Sequence, residues 1–464
     1  MIAMPQTAHN APPRRLRCVA LACMTPEVDA GEHSRKLPSY GIHRIQAAVL
    51  ADPSLDGVEV PIVDQHRSDV AGYVDAIVSR APEVVGLSLF VWSTPCLVEV
   101  AREIRRRLSE TVIVCGGPSA RIALLNRAPF GPAAEYADAL VTTAGEDAFA
   151  AIVRLVSAGA RRADLPVALR GVAGLEIPSG SGWHATDRPR GERSLDRLPS
   201  PYQMGLMRYG AVGYLETFRG CPVSCRFCEW GVMDAAAGVF SREYLIRELE
   251  GLAAHAARAV FHVDSGLNLN AAAFRNLAAA EREVGFLKQT GLWCEIYPAK
   301  ISDDHLEFLS ECGPTWLGVG LQSMQRQVLK NLERPYGPEH FETAIARLKS
   351  VVAGMEVQVI FGLPTDSPAG FHETLAYARS LGVGVRVYHC LVLPDALLTR
   401  SEPEWNLKFS PLTLAMESCE GWTAESLLDM RAYLTAEVTR CGGTAGNFWW
   451  SFPGVGQRPP AGVA

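Results

Sequence analysis

No apolar run in this chain approaches the ~20 residues that a membrane-spanning helix needs, and its net charge is −6. The first absence argues against a membrane protein, the second against general nucleic-acid binding. The opening stretch MIAMPQTAHNAPPRR has no hydrophobic signal core, so residues 1–15 read as a disordered leader. No internal repeat is visible. The 12 cysteines are scattered and form no disulfide framework. Reduced thiols of this kind point to the cytosol, so a cytoplasmic protein is expected. What is present is ordinary globular composition, 48% hydrophobic and 20% charged, over a length that suggests two or three domains.

Three cysteines are not scattered. The segment Gly220-Cys221-Pro222-Val223-Ser224-Cys225-Arg226-Phe227-Cys228 sets Cys221, Cys225 and Cys228 in a C-x3-C-x2-C run. Three thiolates on one tight loop can hold three irons of a 4Fe-4S cubane, leaving the fourth iron open for chemistry. Zinc wants four ligands, usually as two close pairs. Cys294 and Cys312 are too far apart to make a second pair. The run, with Phe227 just before its last cysteine, resembles the radical S-adenosylmethionine (SAM) superfamily. That resemblance implies a SAM molecule chelated by the open iron. Reduction by an external donor of flavodoxin or ferredoxin type then yields a 5′-deoxyadenosyl radical that takes hydrogen from substrate.

Upstream, short apolar runs alternate with helical patterns. Leu16–Cys23, Val58–Val63, Val84–Phe90, Val112–Cys115 and Ala139–Thr142 read as buried strands, and Tyr40–Leu50, Cys96–Leu108 and Ala148–Val156 as helices. The α/β alternation predicts a doubly wound, Rossmann-like sheet over residues 16–160, with ligands at the carboxyl ends of its strands. Through Ser88-Leu89-Phe90, Gly116-Gly117-Pro118 and Ala144-Gly145-Glu146 it resembles the cobalamin-binding domain of one large radical SAM class. The Asp-x-His-x-x-Gly motif that supplies a cobalt-ligating histidine elsewhere is missing; the nearest histidine is His33. The expectation is that cobalamin is not required. Residues 161–210 read as a connector with strand-like pieces at Val167–Arg170 and Val172–Ile177.

Residues 211–400 read as a partial (β/α)6 barrel, with strands at Gly213–Phe218, Ala259–Asp264, Leu292–Ala299, Trp316–Gln322, Glu356–Gly362 and Val385–Leu391. The cysteine loop follows the first strand, as the resemblance requires. It further implies SAM contacts at Phe227, at Gln322 and Ser323, at Ile360 and Gly362, and at Leu393. Residues 401–464 form a C-terminal extension with an aromatic cluster at Phe448-Trp449-Trp450.

Strand parity puts Glu216, His262, Asp264 and Glu295 on faces turned toward the barrel cavity. Carboxylates and a histidine suit a cationic, hydroxylated ligand such as an amino sugar, and can act as acid and base. In length and layout the chain resembles the radical SAM diol dehydratases of apramycin-type aminoglycoside pathways. This implies 3′-deoxygenation of an amino sugar by 1,2-diol dehydration, with a partner NAD(P)H-dependent reductase. The competing expectation is a cobalamin-dependent radical SAM C-methyltransferase acting on a natural-product intermediate.

Overall fold

The computed structural model describes residues 16–25, 27–28, 35–36, 39–189, 194–233, 238–334 and 340–454. The leader expected at 1–15 lies outside the described residues, as does the end of the extension from 455 onward. The first sheet holds β1 (Val19–Cys23), β2 (Ile62–Asp64), β3 (Val84–Ser88), β4 (Val112–Gly116), β5 (Ala139–Val141), β6 (Leu175–Ser179) and β7 (Gly182–Ala185), in the order β2-β1-β3-β4-β5-β6-β7. The first five are parallel. Their sequences are continuous apolar runs because both faces are covered. Helices α1 (Tyr40–Leu50) and α4 (Gly145–Ser157) lie on one face, α2 (Val70–Val78) and α3 (Thr94–Arg107) on the other.

Two corrections concern the connector. Its second strand-like piece becomes the hairpin β6–β7, which pairs antiparallel with β5 and so extends the first sheet well past residue 160. Its first piece is helical, at Leu165–Ala168 and Leu169–Gly171.

The second sheet carries six parallel strands: β8 (Gly213–Leu215), β9 (Val260–His262), β10 (Leu292–Ile296), β11 (Thr315–Gln322), β12 (Gly354–Phe361) and β13 (Gly384–His389). Outer helices include α5 (Arg242–Ala254), α6 (Ala271–Val284), α7 (Asp303–Glu311), α8 (Phe341–Lys349) and α9 (Pro368–Ser380). Beyond the last parallel strand the chain adds α10 (Ala424–Arg440), β14 (Thr444–Ala445) and β15 (Trp449–Phe452). The sheet order is β8-β9-β10-β11-β12-β13-β15-β14, so the extension caps its far edge antiparallel to β13. Trp450 is buried in that cap. Among the described residues no helix is long and apolar enough to cross a membrane.

Candidate functional site

The barrel's two faces sort by chemistry. One face buries Leu215, Val260, Cys294, Leu317, Val319, Val357 and Val387 under the helices. Residues in register between these positions turn to the lumen. There Tyr214, Phe261 and Trp293 form an aromatic floor, with Phe261 and Trp293 stacked at 4.5 Å and 8°. Above it Gln358 Nε2 donates to Glu295 Oε1 at 2.8 Å. A Cβ on Gly318 would lie 2.5 Å from that carboxylate, so glycine there makes room for the pair. Burial pushes the Glu295 carboxyl from the ordinary 4.5 up to about 7, against the pull of the Gln358 bond.

Glu216 and Glu295 thus share the lumen face, but His262 and Asp264 do not. Strand β9 presents Phe261 and Val263 inward, one residue out of phase with the expectation. His262 and Asp264 are buried behind the sheet, with His262 Nε2 3.0 Å from Asp264 Oδ2. The carboxylate accepts the backbone N–H of Thr217 at 3.0 Å and of Phe218 at 3.2 Å, and the Thr217 hydroxyl. A buried carboxylate that takes its bonds from backbone donors tolerates the helix-facing side, where parity alone assigns apolar residues. Its work is to shape the chain entering the cysteine loop. Asp264→Asn should therefore act on folding, costing about 2–4 kcal/mol because one acceptor oxygen is lost opposite buried donors. A melting temperature equal to wild type would contradict this assignment.

The cysteine loop is braced on several sides. The Ser265 hydroxyl donates to Gly220 O at 2.8 Å, and Arg400 donates to the carbonyls of Cys225 and Ser224 at 3.1 and 2.5 Å. Among the described residues no three Cys, His, Asp or Glu side chains surround one point that a single ion could fill. A cubane needs no such point, because each thiolate meets its own iron. Burial pushes the Cys228 thiol up to about 12 and raises that of Cys225, so cluster assembly releases protons.

Beside this loop stands Arg334. Its Nη1 lies 3.7 Å from Cys225 Sγ, its Nη2 donates to Gly320 O at 2.7 Å, and its guanidinium sits 5.1 Å over the Tyr297 ring. Gln322, at φ +69° past a register shift in β11, crowds the same Gly320. Gln322 Oε1 and Arg334 Nε are buried without a hydrogen-bond partner. Two orphaned polar atoms next to the cysteines fit a polar ligand such as SAM. Sequence reasoning named Gln322 and missed Arg334, an isolated loop arginine with no spacing signature.

The other expected SAM contacts divide. Phe227 is half-buried against the barrel core, and Ile360 is on the lumen face in register with Tyr388. Ser323 is fully buried and bonds Asp366 and the Gln325 N–H. Gly362, at φ +79°, closes against Leu427 of α10, and Leu393 packs on the first sheet's core.

A cavity of about 310 Å³ joins the two sheets. It opens at the carboxyl ends of β1, β3, β4 and β5 and runs down the face covered by α1 and α4, along Leu21, Ile45, Val141 and Phe149. Its far wall is Glu216, Arg219, Gly220 and Trp230 at the cysteine loop. Glycines carve it. A Cβ on Gly86 would lie 2.8 Å from Leu21 and Phe149, and one on Gly117, at φ +93°, would lie 2.5 Å from Leu89 O. The strand order 2-1-3-4-5 switches direction between β1 and β3, where open α/β sheets place ligands. An apolar slot at that switch suits one face of a large cofactor such as cobalamin, the rest of which would lie outside the slot. No histidine is among the described residues lining it.

Residues 215–378 match the family model described as Radical SAM superfamily. The 2-(S-pantetheinyl)-carbapenam-3-carboxylate methyltransferase of Streptantibioticus cattleyicolor is 28% identical over 90% of this chain and 65% of its own length. The cobalamin-dependent radical SAM methyltransferase TokK of Streptomyces tokunonensis is 28% identical over 72% of this chain and 51% of its own. The chain thus spans less than two thirds of either relative. In fold it is similar to the cobalamin-dependent SAM radical enzyme OxsB, solved with aqua-cobalamin and SAM bound, at TM-score 0.68 and 12% identity over 92% of this chain and 67% of that one. These findings correct two expectations. The relatives are methyltransferases, so the resemblance to diol dehydratases is unsupported. The expectation that cobalamin is not required is overturned, since TokK is cobalamin-dependent and OxsB carries cobalamin on this fold. The resemblance to the superfamily holds over the barrel: residues 215–378, which carry the three-cysteine loop and most of the partial barrel, match the radical SAM superfamily model.

Proposed function

We propose that this chain is a cobalamin-dependent radical SAM methyltransferase that places a methyl group on carbon of a small-molecule natural-product intermediate. The observation that carries the reading is the cavity whose floor is the switch point of the first sheet and whose far wall is the cysteine loop. The methyltransferase relatives support it. When bound, the cluster and SAM supply hydrogen abstraction and cobalamin supplies methyl transfer, with electrons from an external donor. Cys221, Cys225 and Cys228 hold the cluster. Arg334 and Gln322 orient SAM beside it. The aromatic floor keeps water from the reacting carbon, and Glu295 can hold or accept a proton there.

Dehydration of an amino sugar loses its proposed machinery. Glu216 is held by Arg219 and Arg44 at 2.8 and 3.7 Å, and His262 and Asp264 face away from the lumen.

The test is anaerobic incubation of the cobalamin-loaded chain with reductant and SAM carrying a CD3 methyl. The label should appear on the corrinoid. SAM cleavage with the label confined to unreacted SAM and methionine would contradict the reading.

Glu295 gives a pH prediction. Its folded value is raised, so the neutral carboxyl is the form the fold favours. The stability this contributes is complete below the unfolded value of 4.5 and is lost as pH rises toward about 7. Glu295→Gln removes the penalty. Relative to wild type it should gain about 1–3 kcal/mol between pH 5 and pH 8 in urea titrations, and a pH-independent difference would contradict it.

A further inference from the structure

Two charge networks tie the cysteine loop to the first sheet, one at each end of the loop. At the leading end, two residues before Cys221, Arg219 forks onto Glu146 at the start of α4, with Nη2–Oε1 2.6 Å and Nη1–Oε2 3.1 Å. Its Nε donates to Glu216 Oε1 at 2.8 Å. Arg44 of α1 completes the square, 3.5 Å from Glu146 and 3.7 Å from Glu216. It is fixed in turn by the Tyr244 hydroxyl at 3.0 Å and the Phe240 ring at 5.4 Å. Burial opposes charge on Glu146, yet Arg219 and Arg44 hold its carboxyl well below the usual range.

At the trailing end, Glu229 follows Cys228 and accepts the Asp395 backbone N–H at 3.0 Å. The Asp395 carboxylate takes Arg121 Nε at 2.5 Å. The rest of that guanidinium donates to the carbonyls of Gly117, Ala120 and Thr142, at 3.2, 3.1 and 3.1 Å. Those carbonyls belong to the loops after β4 and β5, on the cavity rim.

Buried ion networks are an inefficient source of stability, because desolvation offsets the attraction. What guanidinium groups held by a carboxylate, and by further oxygens around it, supply is fixed direction and distance. These two grip the cysteine loop on either side of its ligands. Both lead to the edge of the cavity, although Glu146 and Arg219 are 73 residues apart in the chain.

We propose that Arg219, Glu146 and Arg44 on one side, and Arg121, Asp395 and Glu229 on the other, are positioning residues that set the distance and tilt of the cysteine loop relative to the ligand seated on the first sheet. The proposal rests on the reading that this ligand is cobalamin.

Its test uses the full chain in wild-type, Asp395→Asn and Arg219→Gln forms. Asp395→Asn is the mild change: it keeps the backbone N–H to Glu229 and leaves the cavity lining untouched. One readout is the pulsed-EPR distance distribution between the reduced cluster and cobalt(II) after loading with hydroxocobalamin. The other is amide hydrogen exchange in the chain without cofactors. Wild type should give a narrow distance distribution. Asp395→Asn should bind iron and hydroxocobalamin as wild type does, and both variants should show a broadened or shifted distribution. Exchange should rise about tenfold or more in residues 216–229, the scale expected for losing one charge-assisted hydrogen bond, while β12 stays protected as in wild type. An unchanged distribution and unchanged exchange would overturn the proposal. So would exchange rising everywhere, since that marks general destabilisation. If wild type retained no hydroxocobalamin the functional reading would fall, and exchange at residues 216–229 alone would decide the positioning claim. Should Arg219→Gln fail to fold, Asp395→Asn carries both measurements.

Discussion

Replacing Cys225 by alanine is expected to remove the cluster and with it all reductive cleavage of SAM. Cys225 is the middle thiolate of the run and the most buried of the three, so no water or buffer thiol reaches its place easily. Two thiolates cannot fill a cubane's three protein-held corners. Without an open iron nothing remains to chelate SAM. Iron per chain after anaerobic reconstitution should fall from about four to background, and 5′-deoxyadenosine should vanish with it. The fold should survive, because the loop is braced by contacts that do not pass through Sγ: Ser265 on Gly220 and Arg400 on the two carbonyls. A Cys225→Ala chain that still forms 5′-deoxyadenosine would remove the basis for the cluster assignment.

Filling the cavity should separate the two halves of the chemistry. Ile45 is half-buried on α1 and lines the slot packed against Gly145, where an added Cβ on the glycine would meet its Cδ1 at 2.8 Å. A tryptophan at position 45 has nowhere to go but into the slot. Overpacking of this kind costs about 1–3 kcal/mol, and displacement of the ligand adds to it. Ile45→Trp should weaken hydroxocobalamin binding by about 10²-fold or more, while the cluster and substrate-free SAM cleavage persist. Equal binding in variant and wild type would show that cobalamin sits elsewhere.

Much of this was legible in the sequence because the signals are local. The cysteine run is contiguous, and β1 through β5 and β8 through β13 announce themselves as apolar runs between helical periods. The illegible parts have physical reasons. At the end of strand β9 the chain reads Phe261-His262-Val263-Asp264, whose alternation fits either phase. Hydrogen bonds from Thr217 and Phe218, some 47 residues earlier, decide that the polar pair faces the helices. Strand β15 pairs with β13 across about sixty residues of chain, and antiparallel closure of a sheet edge leaves no local mark. The hairpin β6–β7 looked like a linker because its outer strand is largely exposed. Arg334 and the two loop clamps are tertiary facts, visible only once the sheets stand together. The functional misreading arose from the same phase error, since four inward polar groups suggested acid–base dehydration and only Glu216 and Glu295 face the lumen, the first already bound by arginines.

The most direct measurement is the cobalt and iron content, with the optical spectrum, of the chain produced with cobalamin available and purified without oxygen. The expected result is about one cobalt and about four irons per chain, with corrinoid bands superimposed on the cluster's broad absorption. Four irons with no cobalt, and no corrinoid taken up on reconstitution, would contradict it.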